Sequence, residues 1–365
     1  MRSLQTTGPG GIDQVDEQIL GALEINPRAS WTLIGRVLEL DPVTVARRWE
    51  RMSEAGIAWL SAYLVPATGD TPFGALVEIN CVGGKTRNVA LAIAEHPNAI
   101  NVKLMAGGRD LIVTVEANGM DDLTAYLSEV LDGVPGIASR RSSVMTDVMI
   151  EGSSWRTDTL GRQQQSLMRP QGPKVAATER LSPSDFEIIN AVAANPRISL
   201  KDLAEECGIS AATVRRRLTR LLASGTMVIR TDIARPLSQT PIAATYFIEA
   251  APAALGKAAA QIATLPGVRL CLTVAGAVNL VVDIWVHDLV GVKDFEVLLG
   301  RQSLPIRVRD RSVVLRTVKH LGRILDQHGR IQRHVLYDFR PQADAVANMS
   351  FSRPNAAGIS DPTGQ

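Results

Sequence analysis

Two stretches of the chain combine residue types and spacing suited to contact with a polyanion. Residues 41–56 read DPVTVARRWERMSEAG and residues 210–225 read SAATVRRRLTRLLASG. At helical periodicity, Thr44, Arg47 and Arg51 fall on one side of the first stretch, and Thr213, Arg216 and Arg220 on the same side of the second. Arg48 and Arg217 flank that side, and Arg215 adds a guanidinium to the second copy. A guanidinium can fork onto guanine O6/N7 or onto phosphate, and a threonine can reach a base edge or a phosphate. The opposite side carries Val45, Trp49 and Met52, matched by Val214, Leu218 and Leu221, which makes an apolar seam. One such helix reads equally well as a solvated, Arg-rich surface. Its recurrence in a second copy favours the major groove of double-stranded DNA.

Each stretch opens on a helix-capping residue, Asp41 or Ser210, and closes on glycine, Gly56 or Gly225. Their charge differs. Between positions 42 and 54, three arginines face Glu50 and Glu54. Between 211 and 223 there are four arginines and no acid. The second copy is therefore expected to hold phosphates more tightly.

These helices need positioning elements, and a repeat supplies them. At an offset of 169 residues Asp16 meets Asp185, Asn26-Pro27-Arg28 meets Asn195-Pro196-Arg197, and Ser30 meets Ser199. Thr44-Val45 meets Thr213-Val214, Arg47-Arg48 meets Arg216-Arg217, Pro97 meets Pro266, and Gly107 meets Gly276. One unbroken register means two copies of one unit. The first part of each unit reads as three helices, of which the last two form a helix-turn-helix. The second part alternates strand and helix signals in the order β-α-β-β-α-β, an antiparallel sheet with both helices on one face. The fold class is α+β: two winged-helix-like helix-turn-helix domains (13–60 and 181–232), each followed by a ferredoxin-like sandwich (70–150 and 240–320). Residues 151–180, rich in Gln, Ser, Arg and Pro, read as a flexible linker with Trp155 anchoring one end. The tail 341–365 reads as disordered. The two sandwiches are expected to pack as a pseudo-dimer within the chain.

Composition limits the alternatives. A 365-residue chain with 45% hydrophobic residues builds real cores, and its length suggests two or more domains. The net charge of +2 excludes a polyanion-coating protein, so nucleic-acid affinity has to come from local patches. Cys81, Cys207 and Cys271 lie far apart, without a CxxC, and read as buried free thiols in a reducing cytosol. No apolar run reaches ~18 residues and the N-terminus lacks a signal-peptide core, so a cytoplasmic protein without membrane spans is expected. Gly84-Lys85-Thr86 resembles the end of a phosphate loop, but Ile79 stands where its first glycine is required. His96, His287, His320, His328 and His334 show no zinc spacing and read as surface residues. No catalytic set, metal site or cofactor is expected.

Taken as an ordered set, the two opening aspartates, the Asn-Pro-Arg turns, the Thr-Val-x-Arg-Arg helices and the β-α-β-β-α-β modules resemble the Lrp/AsnC (leucine-responsive/asparagine-responsive) family of transcriptional regulators, in a tandem form covering about 13–149 and 182–319. The resemblance implies a DNA-binding domain followed by a regulator domain that dimerises through its sheet, assembles into homo-oligomers and senses small effectors such as amino acids. It places the effector near the turn between the second and third sandwich strands. Here that points to Gly107, Gly108, Arg109 and Asp110, and in the second copy to Gly276 and Asn279, where Asn replaces the family's Asp. Glycines there would expose backbone N–H groups to a carboxylate, and Asp110 would meet an amine; an ordinary tight turn closed by Asp110 reads the same. A rival reading comes from the siroheme decarboxylases, which are similar to tandem Lrp/AsnC units and bind a haem-like group through His and Arg in the sandwiches. Two features weigh against it: both third helices keep an Arg face, and only His96 and His287 fall within the sandwiches proper, whose last strand reads as about residues 307–318.

Overall fold

A computed structural model describes residues 11–65, 73–157, 159–170 and 181–340. The expected tail 341–365 and residues 171–180 of the expected linker lie outside the described residues.

The first helix-turn-helix unit comprises α1 (Gln14–Ile25), α2 (Trp31–Leu38) and α3 (Pro42–Glu54), followed by strand β1 (Ala58–Leu64). Local chemistry sets these boundaries. Asp13 and Asp16 close α1 with a reciprocal capping box, the Ser30 side chain accepts from Leu33 N, and Asp41 accepts from Val43 N and Thr44 N ahead of Pro42. The tight turn between α2 and α3 requires a left-handed residue. Glu39 takes that conformation at φ 57°; in the second unit Gly208 takes it at φ 64°, without the steric cost of a side chain.

The first sandwich follows as β2 (Gly74–Cys81), α4 (Thr86–Ala94), β3 (Ala99–Ala106), β4 (Leu111–Glu116), α5 (Met120–Ala125, continued by a π turn over Tyr126–Val130) and β5 (Ile137–Ile150). Residues 162–168 form a helix, α6 (Arg162–Met168), rather than extending as flexible linker. Met168 is fully buried in the helical core and Gln164 donates to Val37 O at 3.2 Å, so apolar docking overrides the polar composition of this stretch.

The second unit repeats the plan with α7 (Pro183–Ala194), α8 (Leu200–Glu206), α9 (Ala211–Ala223), β6 (Met227–Ile233), β7 (Ile242–Ala250), α10 (Leu255–Ala263), β8 (Val268–Ala275), β9 (Leu280–Val286), α11 (Leu289–Gly300) and β10 (Ile306–His320). A hairpin of β11 (Arg323–Leu325) and β12 (Ile331–His334) extends the sheet beyond the two repeats. Arg323 in it is buried and donates to Leu60 O and Ala193 O at 3.2 and 2.9 Å, tying sheet to helices.

The two sandwiches share their edges. The first half of β5 pairs with β2 in its own unit, and its second half (from Val144) pairs with β8 of the other. Symmetrically, β10 pairs first with β7 and then, from Val313, with β3. The result is a closed antiparallel ring, β10-β3-β4-β2-β5-β8-β9-β7 and back to β10, in which no strand of the ring is left as an edge. Alternation sends one set of side chains outward under the helices of each unit. The other set points into the ring, where Leu76, Met105, Ile112, Phe247, Val281 and Val314 form an apolar cluster.

The helical parts also pair. β1 and β6 form an antiparallel ribbon from Ala58↔Ile233 to Leu64↔Met227. The arginines of the two Asn-Pro-Arg turns clamp each other's unit. Arg28 donates to Pro196 O (2.6 Å) and Ile198 O (2.7 Å); Arg197 donates to Pro27 O and Ala29 O (both 2.7 Å) and stacks on Trp31. One core spans both helix-turn-helix domains. The expected pseudo-dimer is thus built twice, once by strands and once by helices.

Candidate DNA-binding faces and an interdomain cavity

The two third helices keep a seam of Val45, Trp49 and Met52, or Val214, Leu218 and Leu221, turned into the helical core. That seam fixes which residues face outward, and the arginines then divide into two sets. Arg47 in α3 and Arg215 and Arg216 in α9 are exposed. Arg48 turns back along α1, with Nη1 at 2.8 Å from Asp13 Oδ2 and 2.9 Å from Asp16 Oδ1, and Arg51 pairs with Asp16. In the second unit, Arg217 Nη1 (3.0 Å) and Arg220 Nη2 (2.8 Å) share Asp185 Oδ1, and Arg217 also donates to Ser182 Oγ at 2.8 Å. Asp16 and Asp185 are fully buried, so the repeat's opening aspartates are anchors for the third helix. Burial by itself would raise Asp185, but the Ser182 hydrogen bonds and the guanidinium groups of Arg217 and Arg220 outweigh it and hold the carboxyl below its ordinary value. Arg51 remains half-exposed, and the side chains of Arg48, Arg217 and Arg220 keep about a quarter to a third of their surface. Thr44 and Thr213 are half-buried near the helix starts; Thr213 Oγ1 lies 2.9 Å from Ser210 Oγ. Val43, 72% exposed, adds an apolar contact of the kind a thymine methyl accepts.

The turns singled out for an effector close the far end of the ring. Arg109 is buried there. It pairs with Glu78 (2.6 Å) and Asp310 (2.5 Å), donates to Ser312 Oγ (2.9 Å), and lies 3.9 Å over the Phe247 ring. Asp110 accepts from Cys81 N at 2.7 Å, and Asn279 bonds both N and O of Ala250 at 2.8 Å. A Cβ on Gly107 would stand 2.8 Å from Ser312 Oγ, and one on Gly276 would stand 2.2 Å from Ser143 Oγ, positions again related by 169. Close approach between the units therefore accounts for both glycines. Gly108 has more room, since a Cβ there would meet only the Asp310 carboxylate, at 3.6 Å.

At the other end, between the ring and the β1–β6 ribbon, lies a cavity of about 1020 Å³. Trp59, Tyr63, Arg230 and Ile233 of the ribbon line it, and the ring contributes Asn101, Lys103, Glu116, Met145, Leu272, Trp285 and His320, among others. Lys103 pairs with Asp283, which also accepts from Thr245. Arg230 Nη2 lies 2.7 Å from Asp232 Oδ1, with His320 Nε2 3.4 Å from the same oxygen and His320 Nδ1 2.9 Å from Asn101 Oδ1. Burial opposes charge on Asp232, yet Arg230 and His320 beside it depress its pKa strongly. Burial lowers the His320 pKa, offset only in part by Asp232. Glu116 is pushed up to about 7 by burial. Arg269 is buried between the indoles of Trp155 (3.1 Å) and Trp285 (4.0 Å).

His320 thus departs from the expected surface position: β10 runs to residue 320 and carries the side chain into the cavity. The count of only two histidines within the sandwiches rested on ending that strand at 318, and the cavity overturns it. Among the thiols, Cys271 is buried and its pKa is raised to about 12 by burial, whereas Cys81 and Cys207 are half-buried rather than buried. No described helix is long and apolar enough to cross a membrane. Sequence reasoning missed Arg230, Arg269 and Trp285; they lie on three different strands, and their convergence depends on which strands pair.

Fold and faces together define a protein made of two helix-turn-helix units, each joined to a ferredoxin-like sandwich. Comparison with known proteins finds matches to both helix-turn-helix parts and to the first sandwich. The AsnC-type helix-turn-helix domain matches residues 12–53, the Lrp/AsnC ligand binding domain matches 74–155, and a winged helix-turn-helix DNA-binding model matches 181–226. An uncharacterised HTH-type transcriptional regulator of Pyrococcus furiosus is 28% identical over 138 residues, covering 38% of this chain and 93% of that protein. The proline dehydrogenase transcriptional activator of Rhodobacter capsulatus is 29% identical over 149 residues, covering 39% and 96%. Each is one unit long. Over both units the fold is similar to the siroheme decarboxylase NirDL in complex with an iron-uroporphyrin III analogue, with a TM-score of 0.54, 13% identity, and coverage of 90% of this chain and 96% of that one. Both parts of the first unit thus match Lrp/AsnC-type domain models.

Proposed function

We propose that this chain is a sequence-specific transcriptional regulator of the Lrp/AsnC type that binds double-stranded DNA through α3 and α9. The observation that carries the proposal is the division of the arginines. Arg47 and Arg216 occupy equivalent positions and point outward from helices whose neighbouring arginines are anchored to buried aspartates. Anchoring by Asp16 and Asp185 orients the helix before it meets DNA, so less ordering entropy opposes binding. Thr44, Arg51, Thr213 and Arg215 extend the contact; Arg48, Arg217 and Arg220 reach phosphate with the exposed parts of their heads. The two faces differ in sequence, so the half-sites need not form a palindrome. A regulator of this kind acts in the cytoplasm, assembles into homo-oligomers and answers to a small effector such as an amino acid.

Selection of bound fragments from a random duplex pool, with and without mixed amino acids, tests the reading. A recovered consensus with salt-dependent affinity supports it. Equal retention of all sequences, or none at low salt, contradicts it. A second reading, a siroheme-decarboxylase-like enzyme, is favoured by one observation: His320 and several arginines line the central cavity of a fold shared with NirDL. Purified protein mixed with an iron uroporphyrin distinguishes the two. A new Soret band lost in His320→Ala, together with no DNA retention, selects the enzyme.

A further inference from the structure

We propose that the cavity between the β1–β6 ribbon and the strand ring is a binding site for an amphipathic carboxylate. Its acidic head would meet Arg269 and Arg230, and its apolar body would lie against Met145, Leu272 and Ala243. This site is separate from the turns around Arg109 and Asn279, which are closed by the chain's own side chains, and it does not depend on DNA binding.

Three observations converge. The cavity, at about 1020 Å³, stands at the upper end of the ~300–1,000 Å³ range of small-molecule sites, and most of its exposed lining is apolar. Buried donors around it lack partners: Trp59 Nε1, Arg269 Nε and Arg316 Nε make no hydrogen bond among the described residues. Buried donors are ordinarily satisfied, so an absent acceptor is indicated. Arg269 forms no ion pair with a described carboxylate; two indoles hold its guanidinium flat, and that leaves its edges for an anion.

The third observation is a broken symmetry. A packing gap on the pseudo-two-fold of a duplicated fold should be lined alike from both units. At the offset of 169, Arg269 corresponds to Ile100, Lys103 to Leu272, Arg316 to Asp147, and His320 to Glu151. The correspondence is structural as well, because the register shifts in β5–β8 at 145/147 and in β10–β3 at 314/316 are equivalent. Each of these four residues is therefore matched by an apolar or acidic one across the axis, and Arg230 by the uncharged Ser61. The β4 and β5 walls supply Thr114, Glu116, Met145 and Val148 and no base. A cavity polarised in this way favours a ligand with one acidic end over a polyacid charged all round its rim.

The test uses the full-length protein and 1-anilinonaphthalene-8-sulfonate, an apolar anion, as fluorescent probe. It predicts saturable binding displaced by dodecanoate, with dodecanol at least about tenfold weaker as a competitor. Arg269→Leu should weaken probe binding about tenfold or more, Arg269→Lys less, and Ala243→Trp should remove it by filling the space. Arg216→Ala should bind the probe like the wild type, so a failure of DNA recognition is separable from a failure of this site. Circular dichroism confirms that each variant is folded; should Ala243→Trp not fold, Leu272→Phe replaces it. Equal probe binding by wild type, Arg269→Leu and the folded filling variant would overturn the proposal. So would equal potency of dodecanol and dodecanoate, or displacement by iron uroporphyrin but not by dodecanoate.

Discussion

The two helix-turn-helix units hold matching arginines in different ways. In the first, Asp13 and Asp16 both grip Arg48, and Asp16 also takes Arg51. In the second, Ser182 replaces the first aspartate, so Asp185 serves both Arg217 and Arg220. Outward, α3 shows Arg47 near the exposed Glu50 and Glu54, and α9 shows Arg215 and Arg216 with no acid along the helix. The lesson is that counting basic residues on a helix overstates what reaches DNA. Part of the charge is already used to dock the helix, and only the remainder is free to read a groove. The second unit has less internal neutralisation and more outward charge, so it should be the stronger DNA contact and the more fragile fold.

The largest expected effect is on that fragility. Asp185→Asn removes the anchor of two partly buried guanidinium groups and half of a capping box, at a cost of roughly 2–3 kcal/mol, discounted because the arginine heads remain partly in water. Asp16→Asn leaves Asp13 on Arg48 and should cost roughly 1 kcal/mol less. Melting temperatures of the two variants decide this; a larger loss for Asp16→Asn would reverse the comparison. Next comes DNA affinity. Arg216→Ala should cost about 1–3 kcal/mol if it reads a base, with relaxed specificity at that position. Arg47→Ala should cost less, because Glu50 and Glu54 already weaken its face. Anisotropy titrations of both variants on a selected site test the order, and equal losses would remove the asymmetry.

A smaller effect is the acid limb of stability. The folded pKa values of Asp13 and Asp185 lie below the ordinary 3.8. Burial pulls both upward, and the arginine and backbone or Ser182 hydrogen bonds prevail. Carboxyls depressed on folding contribute stability that is fully present above the unfolded pKa and is lost as pH falls through the folded value. The wild type should therefore lose stability below about pH 4, and Asp185→Asn should lose less of it over the same range. An unchanged acid limb in that variant would mean that Asp185 is not depressed. The smallest effect is on salt dependence: if Arg216 meets phosphate, the log–log slope in Arg216→Ala should fall by about one.

Much of the architecture was legible because it is local. The caps at Asp41 and Ser210 and the seams of α3 and α9 depend on neighbours within a few turns of chain, and the 169-residue register shows when the sequence is compared with itself. Features that arise from pairing distant strands were not legible. Nothing near β5 or β10 announces that each crosses to the other unit midway, so the closed ring, its cavity and the burial of His320 stayed hidden. The β11–β12 hairpin was missed because three- and four-residue strands carry too little alternation to detect. Arg28 and Arg197 looked like turn residues because their acceptors lie 168–170 positions away. For the same reason Arg109 and Asp110 suggested a ligand turn, while their partners in β2 and β10 were out of view.

Central to the account is that Arg47 and Arg216, held outward at equivalent sites, touch duplex DNA. Titration of a labelled, selected duplex with wild type and with the Arg47→Ala/Arg216→Ala double variant at low salt tests this most directly. The account predicts specific, salt-sensitive binding by the wild type and at least about a tenfold loss in a double variant that melts like the wild type. Equal affinity of the two proteins, or no retention of any duplex by the wild type, would contradict it.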